Sequence, residues 1–249
     1  MIPVLSPEQC TFFAQNGYLV LPGAIDSRLC EGMLSRVLAD VAQVREPVEF
    51  EADVDYPGSP EHRDAEGGRT IRRLLQAYAR DALFADWFAE PSLLHALEQL
   101  LGGAVKQSKA HHNCVMTKHP RYSSDTGWHQ DIRYWAFEQP ELVSVWLALG
   151  REYPENGGLM VIPGTHRMGF SPERFDERLF LRPERPENAA LIAQAVHVNL
   201  DVGDVLLFHA RLFHAASRNF TPETKYSVVA TYRREDNHPL PGTRSALND

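Results

Sequence analysis

In GWHQDIRYW, residues 127–135, His129 and Asp131 stand two positions apart. On an extended strand such residues project from one face, so an imidazole nitrogen and a carboxylate oxygen can reach the same ion. A third ligand is on offer in GDVLLFHARLFHAASRN, residues 203–219, where His209 and His214 follow an apolar run. Their odd spacing means that one continuous strand cannot turn both inward, so at most one is a ligand. Two histidines and a carboxylate on one face leave three octahedral positions open, the arrangement suited to non-haem Fe(II) oxygen chemistry. Zinc can use the same donors, but the H-E-x-x-H pattern of a helical zinc hydrolase is absent. Each residue also has a plainer role. Either histidine can be a hydrogen-bonded core residue, and Asp131 can cap a turn, although a buried carboxylate without a partner is costly.

The elements that must position these residues fall into two textures. LSPEQCTFFAQNG predicts a helix with Ser6 as N-cap, Pro7 in its first turn and Gly17 as its stop. YLVLPGAI reads as a strand, and DSRLCEGMLSRVLADVAQV as a helix capped by Asp26, with Leu29, Met33, Val37 and Val41 on its apolar face. Residues 46–69 lack a core pattern and read as a long loop, a candidate lid. Helices are expected near 71–88 and over 91–101, the second opened by Pro91 and closed by Gly102. Arg72 and Arg73, near that candidate lid, are then anion contacts or, by preference, part of a solvated helix face.

From Val105 onward short β-rich runs take over, at 105–117, 128–136, 142–149, 158–162, 196–200, 204–209, 213–217 and 225–233. Turns such as ENGG, IPGTH and DVGD separate them, and their glycines need no catalytic role. The charged stretch 167–190 is a second candidate lid. No linker divides the chain, so one domain spanning 1–249 is expected: 1–104 as a mostly helical support, 105–235 as a sandwich, barrel or jelly roll.

Bulk properties exclude several classes. A net charge of −8 with no Lys/Arg-rich run argues against nucleic acid, and any anionic ligand needs a local cationic anchor. Nowhere do about 18 apolar residues run together, so no membrane span is expected. Cys10, Cys30 and Cys114 form no CxxC and fit a reducing compartment. With no secretory pattern at the N-terminus, the cytoplasm is the expected location.

Three segments together resemble the phytanoyl-CoA dioxygenase family of Fe(II)/2-oxoglutarate-dependent oxygenases: WHQDIRYWAF (128–137), NGGLMVIPGTHRMG (156–169) and GDVLLFHARLFHAASRN (203–219). LSPEQCTFFAQNGYLVLPGAI also looks like the family's usual opening, and the two candidate lids match least. The resemblance implies a double-stranded β-helix, a jelly-roll core with helices packed outside. It implies that His129, Asp131 and His214 bind Fe(II), His214 being preferred over His209 because it heads HAASRN; His209 is then structural.

The family places a basic residue, usually arginine, eleven positions after that histidine to hold the distal carboxylate of 2-oxoglutarate. Here it is Lys225, which supplies charge but not a two-pronged grip; Arg218 and Arg233 are alternatives. Gln107 and Met116 are further expected contacts of the co-substrate, and Trp128 and Tyr134, flanking the metal pair, of the substrate. Trp146, like Met116, has core packing as its competing role. His111, His112 and Lys118 precede the metal strand and are weaker candidates for the substrate.

The implied reaction consumes 2-oxoglutarate and O₂, oxidises a small molecule, and releases succinate and CO₂. Related halogenases carry a small residue in place of the carboxylate, so Asp131 implies hydroxylation or a kindred oxidation. The competing readings are a metal-retaining binding protein on the same fold, which Lys225 keeps open, and a metal-dependent hydrolase. The substrate's identity and the oligomeric state are not written in these motifs.

Overall fold

A computed structural model describes residues 2–247. Helix α1 (Pro7–Asn16) starts at Ser6, whose hydroxyl accepts from the Gln9 amide while the Gln9 side chain accepts from the Ser6 amide. Gly17, at φ +79°, closes it. Strand β1 (Tyr18–Leu21) leads to α2 (Ser27–Ala42), capped by Asp26 and burying Cys30, Met33 and Val37. The loop that follows contains β2 (Val48–Phe50) and a 3₁₀ turn at Glu51–Asp53.

The helix expected near 71–88 is absent over its first half. Ile71–Leu75 is strand β3, pairing with β2 and with β5 (Asn113–Lys118), and a break at Gln76 (φ +55°) precedes α3 (Ala82–Phe88). Sheet pairing overrides the helical propensity of IRRLLQAYAR, as tertiary context commonly does. Arg72 and Arg73 are therefore strand residues, and Arg72 is buried. Helix α4 (Pro91–Leu101) ends at Gly102, at φ +75°.

Strand β4 (Val105–Gln107) is separated from β5 by a turn, so the single run expected over 105–117 is two strands. Strand β6 (Thr126–His129) stops at His129, and Asp131–Tyr134 forms a 3₁₀ turn where strand was expected. The remaining elements are β7 (Leu142–Ala148), β8 (Leu159–Val161), α5 (Pro186–Ile192), β9 (Val196–His197), β10 (Val205–His209), β11 (His214–Ala216) and β12 (Lys225–Arg234).

The strands make two antiparallel sheets, one ordered β1-β10-β7-β12-β5-β3-β2 with β4 also on β12, the other β6-β11-β8-β9. The support before residue 105 is thus more than helical: it contributes three strands to the larger sheet. That sheet is buried on both faces, which is why β7 (LVSVWLA) and β10 (VLLFH) read as apolar runs rather than alternating patterns. One face, with Val145, Leu147, Leu207 and Val228, packs on Met33, Phe84, Leu93 and Leu97 of the helices. The other, with Trp146, Phe208 and Val229, packs on Leu159, Val161 and Ala216 of the smaller sheet. Each such side chain removed from water contributes about 1.5–3 kcal/mol. The architecture is a double-stranded β-helix, a jelly roll with helices on one sheet.

Candidate active site

Strands β6 and β11 are antiparallel neighbours in the smaller sheet, and His129 lies directly opposite His214 in their register. The two rings sit 4.2 Å apart between centroids. Asp131, in the turn after β6, is held over them because its neighbour Ile132 donates its amide to the Ala210 carbonyl at 3.0 Å. One ligand atom from each of His129, Asp131 and His214 lies within 4.8 Å of the others.

The donor set fits a divalent metal. Nδ1 of His129 approaches the Gly127 carbonyl at 2.8 Å, and Nδ1 of His214 the Leu212 carbonyl at 3.1 Å. Each Nδ1–H donates to its carbonyl, which leaves both Nε2 atoms with free lone pairs, 3.9 and 3.6 Å from Asp131 Oδ1. Burial pushes both histidines below their ordinary pKa, His129 strongly and with help from the charges of His214 and Arg133. Neutral imidazole is the form a metal requires. Burial would raise the Asp131 pKa, but the neighbouring His112 and His214 outweigh it and hold the carboxyl below its usual range.

Two partners of Asp131 escape the sequence reading. His112 Nε2 lies 3.0 Å from Oδ1, and Ser144 on β7 donates its hydroxyl to Oδ2 at 3.1 Å. Burial alone would lower the His112 pKa; the adjacent carboxylate reverses this, raising it to about 9. Through Ser144 the larger sheet fixes a ligand carried by the smaller one.

The three residues border a cavity of about 290 Å³ between the sheets. Lys225, at the start of β12, lines it, but not as a free cation. Its ammonium donates to Glu152 Oε2 at 3.0 Å and to the Ser227 hydroxyl at 3.2 Å, and lies 4.9 Å from the Trp146 ring centroid. Ser227 and the Trp146 indole N–H donate to the other oxygen of Glu152, at 2.6 and 3.0 Å. Glu152 is almost wholly buried, and nothing in REYPEN marks it.

The alternative cations lie elsewhere. Arg218 pairs with Asp125 at 2.7 Å, and Arg233 donates to the carbonyls of Arg234 and Glu235; neither borders the cavity. Met116, Trp146, Tyr134, His111 and Lys118 do border it. Gln107 does not: it sits on β4 opposite Tyr232, at the far end of β12. Trp128 also corrects the expectation. It alternates with His129 and so faces outward, packing with Ile162, Leu181 and Phe213. His209 meets Glu141 at 3.0 Å and accepts from the Arg211 amide, outside the cavity.

The expected lids meet at the mouth. Tyr56 and Phe180 stack edge to face at 5.4 Å, and Arg178 pairs with Asp55. Turn chemistry shapes the opposite wall: Gly157 has φ +78°, and a Cβ there would lie 2.7 Å from the Ser217 carbonyl oxygen, so only glycine fits.

The fold is a jelly roll that brings two histidines and one carboxylate together at the wall of one cavity. A family profile described as Phytanoyl-CoA dioxygenase (PhyH) matches residues 13–227. The chain is 24% identical to a "Probable phytanoyl-CoA dioxygenase" of Caenorhabditis elegans, covering 94% of this chain and 77% of that protein. It is 25% identical to an "L-proline trans-4-hydroxylase" of Streptomyces griseoviridis, covering 91% and 86%. The crystal structure of EctD from S. alaskensis with 2-oxoglutarate and 5-hydroxyectoine superposes with TM-score 0.76 at 22% identity, covering 95% of this chain and 78% of that one. The chain belongs to the phytanoyl-CoA dioxygenase family. It is an Fe(II)/2-oxoglutarate-dependent dioxygenase, using Fe(II), 2-oxoglutarate and O₂. Among the described residues no helix is long and apolar enough to cross a membrane.

Proposed function

We propose that His129, Asp131 and His214 hold the iron, that Lys225 receives the distal carboxylate of 2-oxoglutarate, and that the reaction is hydroxylation of a compact small molecule. The observation that carries the metal assignment is the convergence of three ligand atoms within 4.8 Å, with both Nδ1 atoms committed to backbone carbonyls. Bound there with 2-oxoglutarate and O₂, iron supplies an oxidant for a substrate C–H bond, with succinate and CO₂ as co-products.

The chain's own residues do the positioning. His112 and Ser144 orient the Asp131 carboxylate. Glu152, Ser227 and Trp146 hold the Lys225 ammonium at the cavity wall, ready to accept a second carboxylate. Met116, Trp146 and Phe208 make that part of the wall apolar, which limits water around the reacting centre. A carboxylate at position 131 supports hydroxylation over halogenation. A cavity at the small end of the usual range for ligand sites supports a compact substrate.

The chain is read as one domain, because a single apolar cluster joins the N-terminal helices to the larger sheet. Three free cysteines support residence in a reducing compartment such as the cytoplasm.

Anaerobically purified protein given Fe(II), 2-oxoglutarate and O₂ is expected to form succinate, and to form it faster when a true substrate is added. Absence of succinate, together with an iron spectrum indifferent to 2-oxoglutarate, would sink the reading.

A further inference from the structure

The chain as a whole is anionic, yet its cavity is not. Six cationic side chains line it, Arg72, Arg73, Lys118, Arg133, Lys225 and Arg244, against the carboxylates of Glu49 and Asp131. Two more carboxylates stand immediately behind: Glu51, 3.9 Å from Arg72, and Glu152 on Lys225. Glu49 serves both Arg72, at 2.7 Å, and Arg73, whose Nε approaches at 3.4 Å without hydrogen-bond alignment. Lys118 donates to the Ser124 carbonyl at 2.5 Å. A divalent ion and a dianionic co-substrate cancel each other and leave this excess in place.

Besides Lys118, two of the cations pair with no carboxylate among the described residues. Arg133 lies within the same 3₁₀ turn as Asp131, its guanidinium 4.1 Å from the Phe180 ring centroid and 4.6 Å from that of Tyr134. It donates one N–H to the Arg178 carbonyl at 3.0 Å, while its buried Nε has no hydrogen-bond partner. Arg244 lies on the C-terminal segment, which docks beside the turn where the Ser245 hydroxyl meets the Ala136 amide and His111 Nε2, both at 2.8 Å. Arg244 is exposed at the cavity's edge and makes no ion pair among the described residues.

We infer that the primary substrate is itself an anion, its carboxylate or phosphate group gripped at the mouth by Arg133 and Arg244 while its apolar body reaches toward the metal site. In a molecule whose overall field repels anions, two uncompensated guanidiniums facing one cavity are a local anchor of the kind such a ligand needs. Stacking on Phe180 and Tyr134 holds the Arg133 fork in plane, which suits a bidentate acceptor. The inference rests on the proposed metal and co-substrate assignment.

The test uses Mn(II)-loaded protein saturated with 2-oxoglutarate, which cannot turn over. Proton relaxation of three probes sharing a five-carbon chain is measured: pentanoate, pentyl phosphate and pentanamide. At least one of the anions is expected to be relaxed at concentrations about tenfold below those the amide requires. A lead for pentanoate assigns a carboxylate substrate, and a lead for pentyl phosphate a phosphate ester. Arg133→Gln and Arg244→Gln should each erase most of that preference while leaving 2-oxoglutarate affinity within about threefold, since neither is among the contacts of Lys225. Arg244, being exposed, gives a variant that keeps its fold. Equal response to all three probes, or a preference that survives both substitutions, overturns the inference while 2-oxoglutarate binding stands. Failure of metal-loaded wild type to bind 2-oxoglutarate refutes the underlying assignment, and the inference with it.

Discussion

At the scale of single residues, the informative feature is how many partners each buried charge has. Asp131 has two protein partners besides His129 and His214, and Lys225 has a carboxylate, a hydroxyl and an aromatic face. Removing one member of a buried ion pair leaves the other uncompensated, at about 3–5 kcal/mol, whereas replacing both is far milder. Lys225→Met is therefore expected to lower stability in urea by about that amount, and Lys225→Met/Glu152→Gln to recover most of it. The double variant should keep its iron and bind 2-oxoglutarate at least about tenfold more weakly. Additive stability losses for Lys225→Met and Glu152→Gln would refute the coupled pair, and unchanged 2-oxoglutarate affinity in the double variant would remove Lys225 from the co-substrate site. The H-x-D spacing is legible in the sequence because it is local, and His214 is singled out from His209 only by the family resemblance of HAASRN. Glu152, His112 and Ser144 are not, since what joins them to the site is strand register between distant segments.

At the scale of elements, the outcome divides by the origin of the signal. Caps and stops lie within a few residues, so Ser6, Gly17, Asp26, Pro91 and Gly102 mark their helices correctly. Strand β3 is hidden because IRRLL favours a helix in isolation and becomes a strand only between β2 and β5. The same blindness put Arg72 and Arg73 on a solvated face, when they belong to the cavity. The turn at Asp131–Tyr134 reads as strand in the sequence because its aromatic residues have high β propensity; the two-residue spacing still delivers Asp131 to the histidines through the turn. Helices α3 and α4 owe their place to apolar contacts with the larger sheet. Leu97→Ala, at a fully buried position of α4, should lower stability by about 2–5 kcal/mol in a denaturant titration and leave iron affinity unchanged. A loss below about 1 kcal/mol would mean that α4 is dispensable to the fold.

At the scale of the whole molecule, two sheets and a helical layer serve one purpose: they bring a β6–β11 histidine pair under a carboxylate that the larger sheet fixes through Ser144. Many short strands punctuated by glycine turns make a sandwich, barrel or jelly roll legible and the family resemblance selects the jelly roll, but the allocation of strands to sheets is not legible, because β1 and β3 pair with partners far along the chain. The separation of charge belongs to this scale too. A net charge of −8 over the chain with a cationic cavity is the field that the proposed anionic substrate requires.

The most direct measurement of the central claim is iron stoichiometry after anaerobic loading and desalting, across four proteins. Wild type and His209→Gln should retain about one iron per chain, whereas His129→Ala and His214→Ala should retain less than about a tenth of that. Full iron in His214→Ala, or its loss from His209→Gln with the fold intact, would contradict the account.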